Sequence, residues 1–199
     1  MKKFELTNEF VTNMFGTKLF HIRALVEFGD VEAGELGGYV EKESNLGHDD
    51  NAWVYDNAWV YGNARVYGDA LVYDNARVYD NAWVYGDAQV SGDALVCGNA
   101  QVSGDARVCG DARVCGNGDY AYAHGFGSVN RTTTFFRLKD GGVGVRCGCF
   151  YGTLAQFRDK IRETHGETKK AQEYLMLADL MELRFEEDEN EVGNRKYVE

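Results

Sequence analysis

The chain has 199 residues, a formal charge of −11, 13% aromatic residues, 24 glycines and no proline. It contains no apolar run long enough to span a membrane, and its acidity argues against direct nucleic-acid binding through a basic patch. The length suits one domain, or one domain with a small second unit. The opening Met1-Lys2-Lys3-Phe4-Glu5 lacks the apolar core of a signal peptide, so a cytoplasmic protein is expected.

In chain order, Lys3–Leu6 and Lys18–Leu25 read as extended runs separated by Thr12-Asn13 and Gly16, a strand pair forming an N-terminal β cap over residues 1–37. His21 and Arg23 share one face of the second run and read as structural or surface residues. Next come Gly34–Glu41 and Ser44-Asn45-Leu46, in which Val40 and Leu46 stand six apart. The step from Leu46 to Val54 is eight, so His48-Asp49-Asp50 carries a two-residue bulge. A projecting histidine is the side chain most often used as a general base. His48 instead sits among acids with no loop to wall a cofactor groove, and no catalytic residue is assigned.

From Asn51 to Cys115 one phrase repeats: Asn/Asp-Ala-x-Val-Tyr/Ser/Cys-Gly/Asp. Valine recurs every six residues from Val54 to Val114, and alanine from Ala52 to Ala112. A fixed period of this kind marks a solenoid whose rungs bury a shared core. Alternation in Ala-x-Val-Tyr points Ala and Val inward, and the x and Tyr/Ser/Cys residues outward. The Gly/Asp and Asn/Asp pair supplies the turn. One strand and one turn make one side of a triangle, so three hexads make an 18-residue coil.

That coil stacks Asn63, Asn81, Asn99 and Asn117 at one corner, where amides satisfy one another. Asn51, Asp69, Asp87 and Asp105 stack at a second corner, and Asn57, Asn75, Asp93 and Asp111 at a third. Residues 49–116 hold ten Asp, no Glu, four Arg and no Lys, a net −6 against −3, +2 and −4 for 1–48, 117–152 and 153–199. The acidic solenoid should attract a basic partner surface. Asp69, Asp87 and Asp105, then Asp93 and Asp111, are the candidate partner-binding residues, against the alternative that Asp is a turn former interchangeable with Asn. The outward aromatics Trp53, Trp59, Tyr61, Tyr79, Trp83 and Tyr85, with Tyr55, Tyr67 and Tyr73, need cover. The chain's own termini, a second copy or a ligand surface would each supply it.

After Val114 the repeat decays through Tyr120 and His124-Gly125-Phe126, a closing rung. Arg131–Leu138 and Val143–Phe150 read as strands joined at Asp140-Gly141-Gly142. Thr153 caps a helix bearing Leu154, Phe157 and Ile161, Gly166 ends it, and a second helix runs from about Thr168 to Phe185. The fold expected is mainly β, a three-sided parallel β-helix over 38–126, with the N-terminal cap, a ββαα unit over 127–190 and a loose tail over 191–199. The five cysteines fit no zinc spacing. Cys97 and Cys115 are rung neighbours expected to be free thiols. Cys147-Gly148-Cys149 places both thiols on one strand face. No metal and no cofactor is expected.

The hexads resemble the bacterial left-handed β-helix proteins, and the handedness is implied by that resemblance alone. The phrase Gly-Glu-Leu-Gly-Gly-Tyr-Val-Glu, then Asn-Leu, then Asn-Ala-x-Val-Tyr, resembles the YdcK-type β-solenoid family over about residues 18–120. The run Thr-Thr-Phe-Phe-Arg through Gly-Cys-Phe-Tyr-Gly-Thr-Leu is similar to the tail behind such repeats in phage proteins. The family occurs in bacteria, phages and prophages, and the resemblance implies no reaction. The expectation is a non-enzymatic interaction protein of the host cytoplasm, homo-oligomeric. Its acidic face would inhibit a nucleic-acid-binding host protein such as a CRISPR defence effector. A structural scaffold, an acyltransferase and a nucleotide-sequestering protein are the alternatives.

Overall fold

The computed structural model describes residues 2–127 and 131–186. The tail over 191–199 therefore lies outside the described residues. Strands β1 (Phe4–Thr12) and β2 (Lys18–Ala24) form an antiparallel hairpin. Asn13 Oδ1 closes it by accepting from the Phe15 and Thr17 amides at 3.0 and 2.9 Å. Strand β3 (Leu36–Val40) pairs antiparallel with β2 and parallel with Trp59-Val60, so it joins cap to solenoid. Gly37 permits the approach: a Cβ there would meet the Trp53 ring at 2.7 Å.

Eleven two-residue strands, β4 to β14, recur every six residues from Trp53–Val54 to Arg113–Val114. They stack on three faces, one carrying residues 53–54, 71–72, 89–90 and 107–108, the next 59–60, 77–78, 95–96 and 113–114, the third 65–66, 83–84 and 101–102. Partners lie 18 residues apart, as in Trp53↔Leu71 and Val66↔Val84. At the entry the offset is twenty, in Val40↔Val60 and Leu46↔Val66, which is where the two extra residues after Leu46 are absorbed. Every repeat Ala and Val is at most 1% exposed, the solenoid core. Burial of that unbroken apolar column is the main stabilising term, at about 25 cal/mol per Å².

The turns explain the Gly/Asp choice. Gly62, Gly68, Gly86, Gly92, Gly98, Gly104 and Gly110 have φ between 61° and 72°, the left-handed region that suits glycine. Asp56, Asp74 and Asp80 occupy the same position at φ 52–60°. Each offsets the strain with a carboxylate bond to the next coil, to the amides of Asp74, Gly92 and Gly98 at 3.3, 3.0 and 3.3 Å.

Both ends of the solenoid are sealed by side chains that replace a missing coil. At the entry, Lys3 Nζ donates to the Asp50 and Ala52 carbonyls at 3.2 and 2.8 Å. Asn45 Nδ2 donates to those of Gly62 and Ala64 at 3.2 and 2.8 Å. At the exit, Thr134 Oγ1 accepts from the Arg107 amide at 2.9 Å, and the Lys139 amide donates to the Asp111 carbonyl at 3.0 Å.

Residues Tyr120–Phe126 do not close a rung. They form β15, antiparallel to β16 (Arg131–Arg137), and β17 (Val143–Cys147) and β18 (Phe150–Thr153) complete the sheet. Two strands thus flank the two that were expected. The diversion starts at Asp119, whose Oδ2 accepts from the Cys115 and Gly116 amides at 3.0 and 2.9 Å and turns the chain off the coil. Alternation along β16 sends Phe136 into the solenoid core and Phe135 into a second core with Val145, Phe157, Tyr174 and Phe185.

Helix α1 (Leu154–His165) starts at Thr153, in a reciprocal capping box with Gln156, and ends at Gly166 at φ 56°. Helix α2 (Lys169–Phe185) is capped by Thr168 and buries Ala171, Tyr174, Ala178, Met181 and Phe185. Arg137, 7% exposed, ties it to the sheet by donating to the Phe185 carbonyl at 3.0 Å.

Candidate functional site

The hexad register places Asp69, Asp87 and Asp105 in one column at the corner that enters the Leu71-Val72, Gln89-Val90 and Arg107-Val108 rungs. All three are exposed. Asp69 accepts from Asn51 Nδ2 at 2.7 Å, and Asp105 stands 3.5 Å from His124 Nδ1. Asp87, in the middle, makes no side-chain hydrogen bond or ion pair with the described residues. Successive coils are about 4.8 Å apart, so the column is a line of like charge open to solvent. Asp93 accepts from Asn75 Nδ2 at 3.1 Å, and Asp111 is exposed beside the C-terminal sheet. At the remaining corner Asn63 donates to Asn81 at 3.2 Å and Asn81 to Asn99 at 3.3 Å. Asn117 leaves that ladder and accepts from the Gln101 amide at 2.8 Å.

The aromatic positions divide by their cover. Trp53 is fully buried, its ring 6.2 Å from Phe4 and 5.3 Å from Phe28, so the N-terminal segment covers it. The remaining aromatics stay on the flanks. Tyr61 stacks on Tyr79 at 5.1 Å, and Tyr67 on Tyr85 at 5.1 Å, one coil apart. Arg77 lies over Trp59 at 4.7 Å from the ring centre, a cation–π contact. Trp83 is 38% exposed. Burial pushes the Tyr61 hydroxyl up to about 12.

His48 is occupied structurally. Its Nδ1 accepts from the Lys3 amide at 3.2 Å, its Nε2 meets Glu43 Oε1 at 2.9 Å, and its ring stacks on Phe4 at 4.5 Å. An Nδ1 that accepts leaves the proton on Nε2, so neither nitrogen is positioned as a base toward solvent. His21 rests on Tyr39 at 4.2 Å.

The cysteines correct two expectations. Cys97 and Cys115 form a disulfide with Cα atoms 4.3 Å apart, because Val96↔Val114 pairing brings the next residue of each strand face to face. Cys147 and Cys149 do not share a strand face: Cys147 ends β17, and Gly148-Cys149 is the two-residue turn into β18, Gly148 at φ 59°. Among the described residues no cluster of three metal-ligating side chains occurs, and no helix is long and apolar enough to cross a membrane.

These features define a β-solenoid repeat protein: parallel two-residue strands stacked on three faces, capped at both ends by antiparallel strands. The YdcK β-solenoid repeat model matches four times, at residues 58–73, 70–86, 88–104 and 100–116, so the hexads over this stretch are similar to the repeats of that family. No curated protein matches the chain.

Proposed function

We propose that the chain is a non-enzymatic interaction protein whose Asp69–Asp87–Asp105 column engages a basic surface on another protein. The observation that carries this reading is the column itself, exposed carboxylates at coil spacing with Asp87 unpaired among the described residues. The Asp residues that serve as turn formers, Asp56, Asp74 and Asp80, lie elsewhere and are bonded between coils. A nucleic-acid-binding groove is the kind of basic surface that such a line fits, and a defence effector such as a CRISPR nuclease, opposed by a phage-type protein, is the proposed setting. The engagement of both His48 nitrogens supports a reading without catalysis.

Co-purification from a bacterial lysate at low and high salt tests the proposal. A protein retained by the wild type, released by salt and lost with the triple Asp69/Asp87/Asp105→Asn variant supports it. Equal retention by the variant overturns it.

Self-association is a second reading, favoured by Met176, Leu180 and Leu183, which form an exposed apolar stripe at helical spacing on α2. Sedimentation that shows a dimer in the wild type and a monomer in Leu180→Glu supports it, and a wild-type monomer at tens of micromolar removes it.

A further inference from the structure

We propose that the cleft between the exit corner of one solenoid face and the β17–β18 hairpin is a binding site for a small phosphate monoester. This inference is independent of the acidic column, which runs along the opposite edge of the same face. The cleft has a volume of about 340 Å³ and is lined by Tyr73, Gln89, Ser91 and Arg107 from the coils and by Arg146 and Tyr151 from the hairpin. Arg146 and Tyr151 are cross-strand partners, so one rigid hairpin carries both. Tyr151 is held by stacking on Phe136 and by packing its hydroxyl against Gly110, where a Cβ would collide with it.

The charge arrangement is what points to a ligand. Arg107 and Arg146 line the cleft together with Cys109, and neither has a carboxylate within ion-pair distance among the described residues. Two guanidinium groups against the single carboxylate of Asp74 leave the cleft with a net positive lining in a chain of net charge −11, which suits an anion. Cys109 does not supply that anion, because burial pushes its thiol upward and keeps it neutral at physiological pH. Asp74 also lines the cleft and keeps its charge, its Oδ2 accepting from the Gly92 amide at 3.0 Å, so the two arginines outnumber it by one. Guanidinium forks match phosphate oxygens in geometry as well as charge.

The rest of the lining suits an organic body on that phosphate. The Gln89 amide and Ser91 hydroxyl have no hydrogen-bond partner among the described residues, and Ser91 is only 8% exposed. Tyr73 and Tyr151 add ring surface. The volume lies at the small end of the range for ligand pockets, about 300–1,000 Å³, which fits a mononucleotide or sugar phosphate.

Cys109 lies in the cleft and reports its occupancy. The full-length protein is labelled with N-ethylmaleimide and mapped by peptide mass spectrometry, alone and with millimolar AMP, UMP or ribose 5-phosphate. Adenosine and inorganic phosphate serve as the other two arms. The expected result is several-fold slower labelling of Cys109 with at least one monoester, weaker protection by adenosine and by phosphate, and unchanged labelling of Cys149. Arg107→Gln and Arg146→Gln should each weaken the protecting monoester by about tenfold in calorimetry. Absence of protection by all three monoesters overturns the proposal. Equal protection by adenosine overturns the role of the arginines, and equal protection by inorganic phosphate overturns the organic body. If an arginine variant fails to fold, the wild-type labelling result alone decides.

Discussion

The ammonium of Lys3 donates to the carbonyl oxygen of Ala52 at 2.8 Å, 49 residues further along the chain. It stands where the amide of a preceding coil would stand. Asn45 does the same one face away, with Nδ2 on Gly62 and Ala64 and Oδ1 accepting from the Lys42 amide at 2.9 Å. A stacked parallel strand exposes carbonyls along its first edge, and these two side chains satisfy that edge without a further strand.

Asn45→Ala should therefore cost about 2–4 kcal/mol, because it strands buried acceptors and one donor at once. Asn63→Ala, at an exposed ladder position, should stay within about 0.5 kcal/mol. Urea unfolding midpoints compare the two, and equal effects would refute end-sealing by Asn45.

The buried Lys3 also sets a pH dependence. Burial lowers its pKa from 10.5 to about 8, against the opposing pull of Asp50, Asp49 and Asp69. Between those values the unfolded chain holds the proton and the folded chain does not, so Lys3 makes stability rise with pH from about 8 to 10.5. Tyr61 acts in the opposite sense. Its hydroxyl is raised from 10.0 to about 12, chiefly by burial and then by Tyr79, so its contribution is complete below pH 10 and lost through pH 12. Thermal melting across this range should show Lys3→Met flattening the rise and Tyr61→Phe flattening the alkaline fall. Parallel pH profiles for wild type and variants would count against both assignments.

Val84 is fully buried and pairs with Val66 and Val102 in the coils on either side. Val84→Asp places an uncompensated charge at the middle of the column and should abolish cooperative folding. A melting temperature within a few degrees of wild type would be incompatible with this core.

Asp80 stands at φ 59° with its carboxylate on the Gly98 amide at 3.3 Å. Asp80→Gly trades that bond for an unstrained backbone and should change stability by less than about 0.5 kcal/mol. Asp80→Ala loses the bond and keeps the strain, and should cost about 1–2 kcal/mol in a denaturant titration.

What the sequence determined by itself is whatever contact between nearest coils determines. Period six and its Ala/Val alternation specify inward residues, corner ladders and the 18-residue offset, and the eight-residue step from Leu46 to Val54 anticipates the offset of twenty at the entry. Thr153 and Gly166 mark the first C-terminal helix because capping is local chemistry. The tertiary structure decided everything that depends on docking a non-repeating segment. Trp53 has the same hexad position as the partly exposed Trp59 and Trp83, and only the packing of Phe4 and Phe28 buries it. Tyr120–Phe126 keeps a repeat-like pattern yet pairs antiparallel with β16, since alternation describes a strand without naming its neighbour. Arg107 and Arg146 are 39 residues apart in two different sheets, and their place in one cleft with Cys109 comes from how the β17–β18 hairpin sits on the coil. Repeats encode their contacts in every unit, whereas a cap meets the solenoid once, through shape complementarity that no periodicity records.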